Sequence, residues 1–325
     1  MLDKTIIITG GNTGLGYECA KSIAASGQGW QIVIAGRDKQ RISEAARRLD
    51  DVAPDSQARA LRLDLASLQS IRSFVEQFIA QGLPPLRAIV CNAGVQVISG
   101  TTYTEDGFET TFGVNHLGHF LLVNLLIEYL AAPARIIVVS SDTHDPVQKT
   151  GMPEPCYENA ISLAWPERDI AASQVVQDAT TGRRRYTTSK LCNVYFTYEL
   201  SRRLEKQGLS TSQKPITVNA FNPGLMPGTG LARDYSPGQR FVWNYILPVI
   251  RPILRFFMPM NSADKSGQAL ARLVLDSSLE GITGKYYSGL KEEPSSEESY
   301  DLQKAFELWE LSARLVNLAQ EEARS

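Results

Sequence analysis

One α/β domain built on a doubly wound parallel sheet, with helices on both faces, is the fold this sequence predicts. Three observations carry that reading. Short β-branched runs recur along the chain, stretches with helical apolar spacing separate them, and the first run ends in a glycine-rich turn that opens into a helix. Strands alternating with helices imply parallel pairing, with a ligand at the strands' C-terminal ends.

The 325 residues are read as a single domain, 1–325, able to bury a sizeable core. A net charge of −2 with 43% hydrophobic residues fits an ordinary soluble protein and argues against a nucleic-acid binder, which carries a basic stripe. Cys19, Cys91, Cys156 and Cys192 form no C-x-x-C pair and mostly have apolar neighbours, as buried free thiols in a reducing compartment do. The first strand begins almost at once and leaves no stretch for a signal or transit peptide, so the expected location is the cytoplasm.

Residues 5–9 form the first β-branched run, and T-G-G-N-T-G-L-G follows from Thr9 to Gly16. Strand, glycine turn and helix in that order make a nucleotide-binding entry, in which backbone N–H groups and the helix N-terminus face a pyrophosphate. Gly10, Asn12, Thr13, Gly14, Leu15 and Gly16 are the candidate cofactor contacts, with the glycines spaced G-x-x-x-G-x-G. Residues 31–35 make the second strand, which ends in G-R-D. Gly36 cannot hold ribose hydroxyls as an acid would, whereas Arg37 can meet a 2′-phosphate with a planar, permanently charged fork. NADP(H) is therefore the expected cofactor.

Residues 61–63 end a third strand at Asp64; the fourth, 88–90, runs into C-N-A-G; the fifth, 136–139, ends at Ser140 and Ser141. Between them, helix 67–80 lines up Leu68, Ile71, Phe74, Val75 and Phe78 on one face. Helix 115–130 is apolar nearly all round, as a buried helix is. Residues 142–185, with scattered prolines, read as a functional insertion, and the run Arg183 to Arg185 as a solvated face. A helix from Tyr186 to about residue 206, a strand at 216–221 and the turn Asn222-Pro223-Gly224 follow. Residues 235–260 hold Phe241, Trp243, Tyr245, Phe256 and Phe257 and are too broken by prolines and arginines to span a bilayer. They read as an apolar lid over a substrate, with peripheral membrane contact or plain core packing as alternatives. A helix at 263–275 and a strand near 285–287 close the sheet, and a polar linker leads to a final helix, 300–320. That helix is expected to dock on the body through Leu302, Phe306, Trp309 and Leu315.

Tyr186 and Lys190, in Y-T-T-S-K, lie four apart and share one helix face. A nearby cation favours a phenolate, which brings a tyrosine closer to useful acid–base work at neutral pH. The same spacing occurs at Tyr17 with Lys21, Tyr287 with Lys291 and Tyr300 with Lys304. Position in the chain selects Tyr186. Only this pair follows the fifth strand, whose terminal serines lie beside the nicotinamide end of a cofactor bound at the first turn.

With these features in this order, the sequence from Lys4 to about Tyr287 resembles the short-chain dehydrogenase/reductase family. The glycine spacing, Asp64, Asn92-Ala93-Gly94, N-H-L-G-H from Asn115, the Ser140-Ser141 ending, the Tyr186 pair and Pro223-Gly224 carry the resemblance. It implies a Rossmann-type fold in which Tyr186 donates a proton to a carbonyl and Lys190 holds the nicotinamide ribose and tunes the tyrosine. By the same resemblance Ser141 orients the carbonyl oxygen, with Ser140 as its rival, and Asn115 supports a water relay to Lys190. Asp64 would hold the adenine amino group, and Leu65, Asn92, Ala93, Gly94, Pro223 and Gly224 join the cofactor contacts. His116 and His119 belong to one motif and read as packed core residues, so no metal is expected.

The stretch from Tyr186 resembles retinol dehydrogenases and related reductases of lipophilic carbonyls. The insertion and the C-terminal L-W-E-L-S-A-R-L-V-N-L-A resemble light-dependent protochlorophyllide oxidoreductase, which usually carries a cysteine where this chain has Leu225. The expected function is an NADPH-dependent oxidoreductase acting on a small lipophilic carbonyl or alcohol. The light-driven reductase is the first alternative, and an NADP(H)-sensing binding protein without turnover is the second. The oligomeric state is left open.

Overall fold

Isoleucine, valine and alanine fill the central strands, and these residues suit a pleated surface that is covered on both sides. The computed structural model describes residues 2–53, 57–166, 179–228, 238, 241–246 and 261–318. Its strands are β1 (Lys4–Thr9), β2 (Trp30–Gly36), β3 (Gln57–Arg62), β4 (Leu86–Cys91), β5 (Leu130–Val139), β6 (Ile216–Asn222), β7 (Lys285–Ser288) and β8 (Lys291–Glu293). They form one sheet in the order β3-β2-β1-β4-β5-β6-β7-β8, parallel throughout except where β8 pairs with β7. Covering it are α1 (Gly14–Ala24), α2 (Lys39–Val52), α3 (Leu68–Ala80), α4 (Thr110–Phe112), α5 (Gly118–Leu126), α6 (Ala160–Ala164), α7 (Ala179–Lys206), α8 (Ala263–Leu275) and α9 (Leu302–Leu315).

Because strand side chains alternate, the sheet divides the interior into two cores. Ile7, Val33, Ile89 and Ile136 share one with residues of α3, α5, α7 and α9, among them Phe74, Phe120, Tyr195 and Trp309. Ile6, Ile8, Ile34, Val90 and Ile137 share the other with Ile23, Ile42 and Leu270 from α1, α2 and α8. The strand order turns back between β1 and β4, and a sheet that reverses there opens a crevice at its C-terminal edge. Thr9, Gly36, Asn92, Ser140 and Pro223 all stand at or just past strand ends on that edge.

Several elements differ from the sequence reading, each for a local reason. The third strand is Gln57–Arg62 and stops before Leu63, its last partner being Gly36 opposite Arg62. It is an edge strand with polar residues outward, so apolar scanning found only its end. The buried helix expected at 115–130 begins at α4 and passes through a π-helical turn, Gly113–Leu117, before α5. Among the described residues the helix bearing Tyr186 already includes Ala179, so residues 179–185 belong to α7 and not to an insertion. Nor is the arginine run wholly solvated, since Arg185 donates to Gly100 O at 3.0 Å and to Thr101 Oγ1 at 2.8 Å.

The expected lid, 235–260, lies outside the described residues apart from 238 and 241–246, where Phe241, Val242, Tyr245 and Ile246 are exposed. On α9, Ala305, Leu308, Trp309, Ser312 and Leu315 face inward. Leu302 and Phe306 are exposed, so two of the four expected docking residues point to solvent and Ala305 and Leu308 replace them. Trp309 meets Phe120 at 4.9 Å and Phe196 at 5.9 Å between ring centroids. Cys19, Cys91 and Cys192 are buried free thiols, but Cys156 is exposed.

Candidate active site

A turn that brings backbone against a bulky anion needs residues without a Cβ. Gly10 and Gly14 hold φ values of +63° and +54°. At Gly16 a Cβ would fall 2.5 Å from Asn92 Nδ2 and 2.7 Å from Gly10 O. Asn92 closes the turn from the other side, its Nδ2 donating to Thr9 O at 2.8 Å. Thr9 ties the two together: its Oγ1 accepts the N–H groups of Asn92 and Ala93, each at 2.9 Å. Thr13, exposed, stands at the N-cap of α1 without a side-chain cap bond, which leaves the first-turn donors to another acceptor. Asn12 is half-buried beside it and Leu15 is buried beneath.

Arg37 is exposed at the end of β2. A cavity of about 990 Å³ opens along α2 from the glycine turn, with Asn12, Thr13, Arg41, Ser43 and Arg48 in its lining. Arg37 is not part of that lining. Arg41 lies 3.5 Å from Asp38, and Arg48 lies 4.1 Å over the Tyr17 ring. Sequence reasoning missed both arginines, although their spacing of seven puts them two turns apart on one helix face. Asp64 is half-buried and caps its own turn by accepting Ala66 N–H at 3.1 Å. Leu65 is buried against the start of α5, where a Cβ at Gly118 would come within 2.6 Å of Leu65 O.

The Tyr186–Lys190 pair is buried on α7, at 7% and 4% exposure. Lys190 Nζ lies 5.4 Å from the Tyr186 ring centroid and donates to Val139 O at 3.3 Å. Burial lowers the ammonium's pKa to about 8. Asn115 stands in the π turn, taking the Val95 N–H at 2.8 Å and donating to Val95 O and Ser189 Oγ, both at 3.0 Å. A Cβ at Gly94 would sit 3.3 Å from Asn115 Oδ1 and 3.6 Å from Lys190 Nζ. Gly94 thus lies between the asparagine and the lysine, where glycine keeps the approach open.

The two serines after β5 part ways, as neighbours on a strand do. Ser140 is buried, and its Oγ donates to Lys190 O at 2.7 Å, so it is spent on holding α7. Ser141 is half-buried and faces its own turn, donating to Asp142 Oδ1 at 3.1 Å. The remaining Tyr-x-x-x-Lys matches are not buried helical pairs. Lys21 lies near Glu18, Tyr287 and Lys291 sit on different strands, and Lys304 pairs with Glu298 at 2.7 Å.

Both motif histidines are buried, and burial holds them neutral, His116 down to about 3 and His119 to about 4. His116 stacks on Phe112 and bonds Ser312 of α9, whereas His119 bridges Thr9 Oγ1 and Asn115 O. Among the described residues no cluster of three His, Cys, Asp or Glu could hold a metal. Beyond β6, Pro223 O accepts from Asn261 Nδ2 at 3.0 Å and Ser266 Oγ at 2.7 Å, Gly224 takes φ +73°, and Leu225 is half-buried.

The sequence profile described as short chain dehydrogenase matches residues 4–152, from β1 past Ser141. Human retinol dehydrogenase 13 is 36% identical over 318 residues, covering 97% of this chain and 85% of that protein. The chloroplastic protochlorophyllide reductase A of Oryza sativa subsp. japonica is 34% identical over 328 residues, 96% of this chain and 80% of that one. Among solved structures, an uncharacterised protein from Mycobacterium paratuberculosis superposes with a TM-score of 0.68 at 27% identity, covering 97% of this chain and 94% of that chain. Glycine cradle, buried tyrosine–lysine pair and relatives matched over nearly the whole length agree: the chain belongs to the short-chain dehydrogenase/reductase family of oxidoreductases, in the branch of retinol dehydrogenases and protochlorophyllide reductases.

Proposed function

We propose that this protein is an NADPH-dependent oxidoreductase acting between a lipophilic ketone or aldehyde and the matching alcohol. The observation that carries the reading is the buried Tyr186–Lys190 pair set against Gly94 and Asn115, at the sheet edge that also bears the glycine cradle. The cradle fits a nicotinamide dinucleotide. Gly16 admits no side chain, the first turn of α1 is not capped by Thr13, and no acid occupies that turn to repel a pyrophosphate. Gly10, Asn12, Thr13, Gly14, Leu15 and Gly16 would hold the pyrophosphate side, Asp64 and Leu65 the adenine, and Asn92, Ala93, Gly94, Lys190, Pro223 and Gly224 the nicotinamide side. When bound, the cofactor supplies or accepts the hydride.

The chain's own residues manage the proton. In the reducing direction Tyr186 gives its phenolic proton to the carbonyl oxygen as negative charge develops there. The Lys190 ammonium, close to the phenol ring, stabilises the phenolate left behind. Ser141 turns its hydroxyl from Asp142 to the carbonyl oxygen and fixes its direction. Asn115, clamped to Val95, keeps the backbone of the π turn in register with Lys190.

Support for a lipophilic substrate comes from Leu225 beside the Pro223-Gly224 turn and from the retinol in the human relative's name. The relation to protochlorophyllide reductases supports the second reading, light-driven reduction. One experiment separates them: NADPH absorbance with nonanal or all-trans-retinal, followed in darkness and under illumination. Equal consumption in both is expected. Silence with both carbonyls in the dark would overturn the carbonyl reading, and a light-only reaction with protochlorophyllide would replace it.

A further inference from the structure

We propose that His144 is a positioning residue for Ser141, locking that serine to the C-terminal part of the chain through one fixed imidazole tautomer. The proposal rests on the reading of Ser141 given above. His144 opens nothing to solvent: it is 1% exposed, and its ring lies 5.0 Å from that of Tyr286 on β7. Its two ring nitrogens have different partners. Nδ1 lies 2.6 Å from Ser141 O, and Nε2 lies 3.0 Å from Ser296 N.

These partners dictate the proton's place. A carbonyl oxygen can only accept, so Nδ1 carries hydrogen; a backbone N–H can only donate, so Nε2 carries none. The neutral Nδ1–H tautomer alone satisfies both ends, and burial favours the neutral ring by holding the histidine below its ordinary pKa. The titratable groups facing the ring are Asp142 and Asp145 on its own segment and Tyr286 from β7, with Tyr198 and Glu293 around that tyrosine.

Ser141 O therefore receives two donors from one residue, the His144 backbone N–H at 3.2 Å and the ring N–H. The backbone bond closes the turn, and the ring bond fixes the turn against the rest of the protein. Ser296 is itself anchored, because its neighbour Ser295 shares hydrogen bonds of 2.6 Å with Tyr198 of α7 and with Ser299. The carbonyl-orienting serine and the helix bearing Tyr186 are thereby referenced to one another through residues 295–299. An error near 1 Å in such placement is enough to slow a reaction about a hundredfold.

The test uses the chain's three histidines and two near-isosteres. Asparagine places an amide N–H near the position of Nδ1 and keeps the Ser141 bond; glutamine places a carbonyl near Nε2 and keeps the Ser296 bond. Long-range proton–nitrogen NMR of labelled imidazoles should show His144 neutral and protonated on Nδ1 at pH 7; an Nε2–H tautomer or a cation there would overturn the proposal without any assay. Either change cuts the link from Ser141 to Ser296, so with all-trans-retinal or nonanal and NADPH both His144→Asn and His144→Gln should lose roughly tenfold in kcat with KM and NADPH affinity little changed. Each variant keeps one of the two bonds, and both should melt at similar temperatures. An unchanged kcat in either variant, with its melting temperature lowered, would reduce His144 to a fold-stabilising residue. If Ser141→Ala leaves kcat intact while the tautomer is as stated, the reading of the active site has failed and not the placement of His144.

Discussion

The two halves of the sheet's C-terminal edge position their groups by opposite means. From β1 to β4 the work is done by backbone that lacks side chains, with Gly10 packed against Asn92 and Ala93, Gly16 against Asn92, and Gly14 at a φ of +54°. From β5 onward it is done by side chains from distant elements, with Ser140, Asn193 and Lys190 meeting at the end of β5 and His144 reaching Ser296. The first half is vulnerable to any atom added, the second to any atom removed. A cofactor common to many enzymes can be met by a generic cradle, whereas chemistry on one carbonyl needs donors at fixed points.

The largest test of this contrast is Tyr186→Phe, which takes one oxygen from the side-chain half and leaves the cradle alone. Turnover should fall by roughly 10²–10⁴-fold, the usual worth of a positioned acid, while NADPH affinity stays within a factor of two or so. Stopped-flow rates and cofactor fluorescence titration read the two separately. A Tyr186→Phe protein that still turned over at near the parent rate would end the mechanism.

Next in size is a stability effect of opposite sign to activity. The Lys190 ammonium is buried and its folded pKa is about 8, below the value near 10.4 of an unfolded lysine. The unfolded chain therefore holds that proton more tightly. Below about pH 8 the charge opposes folding in full, and the opposition fades as pH rises from 8 toward 10.4. Lys190→Met should make the cofactor-free protein more stable at pH 7, by at most roughly 3 kcal/mol, while removing activity. The gap should narrow in melts at pH 10. A destabilised Lys190→Met protein at pH 7 would mean that the bond to Val139 O outweighs desolvation.

Adding an atom to the cradle comes third. Gly16→Ala places its Cβ within 2.7 Å of a backbone oxygen, which cannot swing away as the Asn92 amide can. Overpacking of this kind costs roughly 1–3 kcal/mol, and here it should appear both as a lower melting temperature and as weaker NADPH binding. Gly82→Ala, at a position with open space but φ +55°, supplies the control: strain and some loss of stability, with NADPH affinity unmoved.

How much of this was readable in advance follows the same division. The cradle was legible because close approach restricts residue type, and a row of glycines in a strand–turn–helix context shows on the page. Tyr186 and Lys190 were legible through their spacing on one helix together with their place after the fifth strand, which the three other pairs of that spacing lack. Thr9 and His144 were not, since a threonine ending a strand and a histidine in a turn look like any other. Their partners lie 83 and 152 positions away along the chain. The polar edge strand β3 and the inward face of α9 were misjudged because local apolar pattern does not say which side the rest of the protein will cover.

The smallest effect concerns the choice between NADPH and NADH. NADPH should bind at least tenfold more tightly, a difference of only about 1.4 kcal/mol. The sequence pointed to Arg37, but the cavity beside the glycine turn is lined by Arg41, Arg47 and Arg48, and Arg47 is already paired with Glu44 and Asp51. Arg41 shares its charge with Asp38 at 3.5 Å, and that carboxylate is already committed to capping α2. Arg48 is steadied over the Tyr17 ring, which pre-orders its guanidinium at little entropic cost. Each exposed cation is screened and worth little alone, so discrimination should be spread over the three arginines. Single alanine substitutions at Arg37, Arg41 and Arg48 should each reduce the NADPH:NADH ratio by only a few-fold, and the triple variant should bring it near unity. Rising salt should erode the ratio in the parent and not in the triple variant. A full loss from Arg37→Ala alone would restore the single-residue reading. A ratio that none of the three disturbs would move the preference to another part of the cradle.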